Sequence, residues 1–179
     1  MVAHRIRDQW NGLAAVLFAA TTGWLGNNWS KPENLGPVVN SPSWESQPAL
    51  SADGHTLYFA SNRPGGQGNR DIWVTYLKGS EWSKPVNLGS KINTPYDDIT
   101  PFIHANDQSL FFTSKGHPGL GGHDIYVSTR EGVNWSEPVN IGYPINSYKD
   151  EVLIQLYSRT VAHSETVHYT VDDCPLHSE

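Results

Sequence analysis

The sequence predicts an all-β protein made of tandem four-stranded antiparallel units, and three observations carry that prediction. One segment occurs three times at a fixed spacing: W-S-K-P-E-N-L-G at 29–36, W-S-K-P-V-N-L-G at 82–89 and W-S-E-P-V-N-I-G at 135–142. Both intervals are 53 residues, and residues 29–81 laid over 82–134 without a gap agree at 20 of 53 positions. Between these marks lie short runs of β-branched and aromatic residues separated by turn signals, and no window keeps a helical period. The composition agrees: 16 Gly, 12 Pro and 7 Trp in 179 residues, with only 17% charged residues, describe a turn-rich chain with aromatic packing.

Within the first unit, Ser46–Ser51 is the first strand, closed by Asp53-Gly54, a pair favoured in tight turns because both positions tolerate positive φ. Thr56–Ser61 is the second, Arg63–Arg70 a glycine-rich loop, Asp71–Leu77 the third, and Trp82–Leu88 supplies a short fourth. The second unit repeats this with Pro101–His104, Ser109–Ser114, the loop Gly116–His123 and Asp124–Arg130. Four short strands in a unit of 40–50 residues, marked by aromatic residues and glycines, are the signature of a β-propeller blade. Pro48 and Pro101 fall in the first strand of each unit, which is tolerable because a blade's innermost strand is paired on one side only.

The run E-S-Q-P-A-L-S-A-D-G-H-T-L-Y-F-A-S-N-R-P-G-G, followed by D-I-W-V, resembles the WD40-like propeller repeat of the TolB type. The resemblance covers residues 29 to about 151 and implies a bacterial envelope protein, periplasmic or secreted, that binds a protein or cell-wall partner. The second unit departs from the pattern, with Asn106-Asp107 for Asp-Gly and Lys115-Gly116 for Asn-Arg. A ligand-binding role for Arg63 is therefore not a repeated one.

The organisation expected is residues 1–28 as a signal peptide or a partial strand of a preceding blade, 29–151 as the tandem repeats, and 152–179 as a diverged partial blade and tail. Arg5 and Arg7 before the apolar run Leu13–Ala20 fit a secretory signal. Shifting by one period instead places Phe18–Leu25 where Asp71–Lys78 sits. Val152, Ile154 and Leu156 alternate, as do Val167, Tyr169 and Val171, which fits two further strands. Closed propellers use about 4–8 blades. Two complete units therefore predict a segment of a larger propeller, or self-association through open blade faces.

Composition also narrows the function. The net charge of −6 and the lack of a basic stripe argue against a nucleic-acid partner. No apolar run reaches the ~18–20 residues of a membrane-spanning helix. Cys174 is the lone cysteine, so neither an intramolecular disulfide nor a cysteine-cluster zinc site is available. No nucleophile elbow, metalloprotease helix or phosphate-binding P-loop motif is present. Gly65–Asn69 is glycine-rich but lies between strands and lacks the P-loop lysine, so its glycines serve a turn. Ser61 and Ser114 have no arranged acid–base partners, and no catalytic residue is assigned.

Several residues recur at one repeat position. Trp29, Trp82 and Trp135 are expected to pack between blades, and Asp71 and Asp124 to cap the N–H groups of the adjacent loop. Glu45, Asp98 and Glu151 stand just before the innermost strands. In a closed propeller they would ring a channel mouth, where converging carboxylates recruit a hard cation such as Ca²⁺; no other cofactor is expected. His117 and His123 share one loop and form a weaker metal candidate. Trp44, Tyr96 and Tyr148 offer aromatic faces to a sugar. The expected function is a non-catalytic binding scaffold. The alternative is a carbohydrate-binding or glycosidase/sialidase-like propeller, which needs carboxylates about 5–10 Å apart. A propeller gating a serine peptidase would require a hydrolase domain that is not encoded in these residues.

Overall fold

A computed structural model describes residues 2–5, 17–20 and 30–151. Strands are the only regular structure among them. They form three antiparallel sheets: β1 (Val2–Arg5), β2 (Leu17–Ala20) and β3 (Glu33–Asn34); then β4 (Glu45–Leu50), β5 (Thr56–Ser61), β6 (Asp71–Lys78), β7 (Glu81–Trp82) and β8 (Val86–Asn87); then β9 (Asp98–Ile103), β10 (Ser109–Ser114), β11 (Asp124–Glu131), β12 (Asn134–Trp135) and β13 (Val139–Asn140). The second and third sheets are the two 53-residue repeats. In each, the strands run as a meander, and the outer strand is split: β7 pairs with the end of β6 at Leu77 and Lys78, β8 with its start at Trp73 and Val74. Pro85 lies at the break, where a ladder donor is not required.

Ser83 repairs that break. Its Oγ accepts from the N–H of Tyr76, and its carbonyl accepts from Thr75 Oγ1. Ser136 does the same for Thr129 and Ser128. The asparagine and glycine of the recurring motif make the next corner. Asn87 Oδ1 accepts from Gly89 N–H at 2.9 Å, with Gly89 at φ 81°, a conformation in which glycine carries no steric cost.

The inner strands begin earlier than the sequence pattern suggests, at Glu45 and Asp98 rather than Ser46 and Pro101. Both then bulge, with the register against β5 shifting between Ser46 and Ala49 and that of β10 between Phe111 and Thr113. Gln47 and Thr100 sit at φ 54° and 49°, unusual for non-glycine residues and a true outlier for β-branched Thr100. A chain of bonds holds Thr100 there: its N–H donates to Gln47 Oε1 at 3.2 Å, and its hydroxyl to Thr113 Oγ1 at 2.6 Å. The prolines next in sequence, Pro48 and Pro101, therefore sit at bulges as well as on single-sided strands, and both places tolerate a missing N–H.

Each face of the first repeat's sheet is apolar, because successive side chains point opposite ways. Leu57, Phe59 and Trp73 pack with Leu17 and Val39 toward the N-terminal sheet. Tyr58, Ile72 and Val74 pack on Leu110, Phe112, Tyr126 and Trp135 of the second repeat. The sheets are thus stacked face to face, with one core on each side of the first repeat. Trp135 is buried in the inter-repeat core, its ring edge-on to Tyr58 at 6.3 Å and under the Arg130 guanidinium at 4.6 Å. Trp82 packs partly buried against the other core, and Trp29 lies outside the described residues.

The N-terminal strand departs from the gapless 53-residue overlay. Asn93 grips Ile72 through both its backbone N–H and C=O, and Asn146 grips Ile125. Asn40 grips Leu17 in the same way, at 2.7 and 2.9 Å. Leu17, not Ala19, therefore takes the place of Ile72. The connection after this strand is two residues longer than in the later repeats, and an ungapped comparison misplaces the strand by that amount. The expected strands after Val152, and Cys174, lie outside the described residues.

Candidate functional site

Antiparallel pairing places the start of each inner strand, the end of the second and the start of the third at one end of each sheet. Every residue singled out for chemistry in the repeats stands at that end. Asp71 and Asp124, the first residues of β6 and β11, are buried. Asp71 accepts from the N–H groups of Gln67 and Gly68 at 2.5 and 3.1 Å and from Asn87 Nδ2 at 3.0 Å. Asp124 accepts from Leu120 and Gly121 N–H. The loop closes on the carboxylate so tightly that a Cβ on Gly66 would fall 1.8 Å from Asp71 Oδ2, and one on Gly119 1.7 Å from Asp124 Oδ2. These glycines are there for close approach.

Glu45 is fully buried and takes four donors: Ser41 N–H and Oγ, Ser61 Oγ at 3.0 Å, and Arg63 Nη2 at 3.0 Å. Arg63 also donates to Val39 O and lies over the rings of Phe59 and Trp73. Its guanidinium is consumed by this network, with its pKa lowered by burial against the raising effect of Glu45. Asp98 occupies the equivalent place in the second repeat. Its Oδ2 accepts from Thr94 N–H and Oγ1 at 2.5 and 2.9 Å, and Gly116 stands where Arg63 stands. Burial pushes the Asp98 carboxyl above the usual range. Glu151 accepts from Ser147 Oγ at 2.6 Å. Each acid therefore bonds a hydroxyl four residues earlier in its own loop. The structure does not gather the three, and among the described residues no cluster of three or more His, Cys, Asp or Glu side chains is placed to hold a metal ion.

His117 and His123 are also separated. The ring of His117 packs on Phe112 and Tyr126, with Nε2 3.0 Å from Ile92 O. His123 Nδ1 is 2.9 Å from Asp150 Oδ1. Ser61 and Ser114 are buried. The first bonds Glu45, and Ser114 Oγ accepts from Gly116 and His117 N–H.

The aromatic candidates are dispersed by role. Trp44 is half-buried under Arg70, whose guanidinium carbon lies 5.7 Å from the ring centroid. Arg70 in turn makes a two-pronged pair with Asp97 at 2.8 and 2.7 Å. That pair raises the arginine and holds the Asp97 carboxyl below its usual range. Tyr96, on the connection before β9, and Tyr148, after β13, are 54% and 82% exposed, and Tyr143, 83% exposed, shares the connection after β13 with Tyr148. A shallow pocket of about 320 Å³ is lined by Pro118, Gly119, Leu120, Asn140 and Gly142.

Residues that carry much of this end were not singled out by motif: Ser41, Thr94 and Ser147 under the acids, Asn40, Asn93 and Asn146 in the connections that bond back to the strands, and Arg70 between the repeats; His123, expected as a metal candidate, instead meets Asp150. The 53-residue overlay marks the asparagines, but it cannot say that their partner is backbone. A scan of the chain against models of known protein families found no match, and a search of curated proteins found none either.

Proposed function

We propose that the chain is a non-catalytic scaffold of β-propeller repeats from the bacterial envelope, periplasmic or extracellular, that presents its loop end to a protein or cell-wall partner. The observation that supports this reading most is how the loop end is divided. Its charged and hydroxyl side chains hold backbone: Asp71, Asp124, Glu45 and Asp98 are all buried and bonded inward. What faces solvent there includes three tyrosines, Tyr96, Tyr143 and Tyr148, beside Leu120, Lys149 and Asp150. Rigid loops with outward tyrosines suit recognition, since tyrosine gives contact area at low entropic cost. The TolB-type resemblance of the repeat supplies the envelope setting.

Co-sedimentation of the purified chain with isolated cell-wall sacculi, and with envelope proteins reconstituted one at a time, tests this. Saturable binding that weakens at least tenfold in Tyr96→Ser/Tyr148→Ser supports it. Turnover of a peptide or glycoside substrate at about 1 s⁻¹ or faster, the range of ordinary enzymes, overturns it. The exposure of Tyr96 and Tyr148 favours a sugar-binding variant of the same reading. Selective retention of one glycan on an array, abolished by the same double substitution, separates it from protein binding.

A further inference from the structure

The N-terminal sheet holds three of the strand positions of a repeat. Leu17 takes the place of Ile72, and the pairing around it follows. Arg5 lies opposite Leu17 as Ala60 lies opposite Ile72, and Phe18 lies opposite Asn34 as Trp73 lies opposite Asn87. β1, β2 and β3 therefore repeat β5, β6 and β8, and the position of β4 is left over. Among the described residues no strand pairs with the outer edge of β1. The same register sets Val2 and Phe18 at the positions of Leu57 and Trp73, which in the first repeat pack backward on the preceding sheet.

The far face of the second repeat is the complement. Phe102, Phe111, Ile125, Val127 and Ile141 stand 53 residues after Ala49, Tyr58, Ile72, Val74 and Leu88, the set with which the first repeat packs on the second. Tyr58 and Val74 are 1% and 3% exposed in that interface. Phe102, Phe111, Val127 and Ile141 are only half-buried, with the two phenylalanine rings 6.2 Å apart. The chain also leaves the second repeat in the pose with which it entered. Glu151 N–H donates to His123 O at 2.8 Å, as Asp98 N–H donates to Arg70 O at 2.8 Å, and Ser147 bonds Glu151 as Thr94 bonds Asp98. Glu151 thus stands where the next inner strand would begin, in front of that apolar face.

We propose that two copies of the chain close head to tail into one ring. The N-terminal sheet of each stacks on the far face of the other's second repeat, and the segment starting at Glu151 adds to the outer edge of the partner's β1 as its inner strand. Both elements meet at one face, the sheet through the positions of Val2 and Phe18, the strand because Glu151 begins there. Leu156 stands 53 and 106 residues after Ile103 and Leu50, which both pack backward on the preceding sheet, so strand and sheet turn apolar residues the same way. Three sheets from each copy make six, inside the ~4–8 of a closed propeller, while three are too few for one chain to close on itself. Closure at two copies removes an open edge and an open apolar face together. The inference rests on the propeller reading of the repeats and is independent of what the loop end binds.

Sedimentation equilibrium of the intact chain should give about twice the 19.9 kDa of one copy, and Phe111→Arg should reduce it to one. A cross-link tests the pairing itself. Register sets Arg5 opposite Val152, as Ala60 lies opposite Ser46 and Thr113 opposite Ile99, and antiparallel partners stand within disulfide reach. In a Cys174→Ser background, a mixture of Arg5→Cys and Val152→Cys chains should form a disulfide-linked pair under mild oxidation that neither variant forms alone. A single-copy mass, growth beyond two copies with concentration, a dimer that survives Phe111→Arg, or no cross-link in the mixture overturns the closure. The cross-link decides it even where Phe111→Arg fails to fold. A single copy that keeps the Tyr58–Trp135 contact overturns the ring alone and leaves the repeats and binding at the loop end standing.

Discussion

Replacing Arg63 with methionine isolates the most buried charge pair of the loop end. Methionine keeps the aliphatic stem on Phe59 and Trp73 but withdraws the guanidinium from Glu45, Val39 O and Ser61 Oγ. The two side chains are 10% and 0% exposed, so the ordinary worth of a surface pair, about 0.2–1 kcal/mol, does not apply. Removing one member of a buried pair costs about 3–5 kcal/mol, because the other charge is left unpaired without solvent. That is a large part of the ~5–15 kcal/mol that holds a domain together. Urea titration followed by tryptophan fluorescence measures it. Much of the loss is expected to return in Arg63→Met/Glu45→Met, where no charge is left buried. A loss under about 1 kcal/mol, or an equal loss with and without Glu45, refutes the reasoning.

Three further outcomes are expected from the same geometry. Gly66→Ala and Gly119→Ala each drive a methyl group into a carboxylate pinned by two loop N–H groups, and each should lose about 2 kcal/mol or more by thermal unfolding. Asn93→Ala strips the N–H of buried Ile72 of its side-chain partner and leaves the Ile72 carbonyl to Leu88 N–H, and should cost about 1–3 kcal/mol in the same assay. Burial pushes the Tyr58 hydroxyl up to about 12, with Arg130 opposing. The unfolded chain ionises near 10, so the native state keeps a proton that the unfolded state gives up, and stability falls as pH rises from about 10 to 12. Absorbance at tyrosinate wavelengths should show a late step, absent in Tyr58→Phe, that coincides with unfolding.

Periodicity made the fold legible where the copies agree. The strands Thr56–Ser61 and Ser109–Ser114 fall where their continuous aromatic and apolar runs put them, because a strand buried on both faces carries such residues at successive positions. The bulges at Gln47 and Thr100 were hidden, since neither residue advertises a positive φ and both owe it to contacts distant in sequence. The two-residue offset at Leu17 was hidden for a different reason: its marker, Asn40, lies 23 residues away in the connection between β3 and β4. At the loop end the overlay shows which positions recur but not what they bond. Glu45, Asp98 and Glu151 look alike as acids, and only geometry reveals that each closes its own loop through Ser41, Thr94 or Ser147. The most informative differences lie where the copies disagree. Arg70 against His123, and Arg63 against Gly116-His117, change the chemistry of one contact without changing its place.

Face-to-face stacking of two copied sheets underlies everything proposed for the loops, and one contact reports on it directly. Tyr58 of the first repeat and Trp135 of the second have ring centroids 6.3 Å apart although 77 residues separate them in sequence. In a sample with only tyrosine and tryptophan rings protonated, the stacked arrangement predicts a strong nuclear Overhauser effect between these two rings that vanishes in Tyr58→Leu. Its absence from the folded chain would contradict the stacking, and with it the shared loop end.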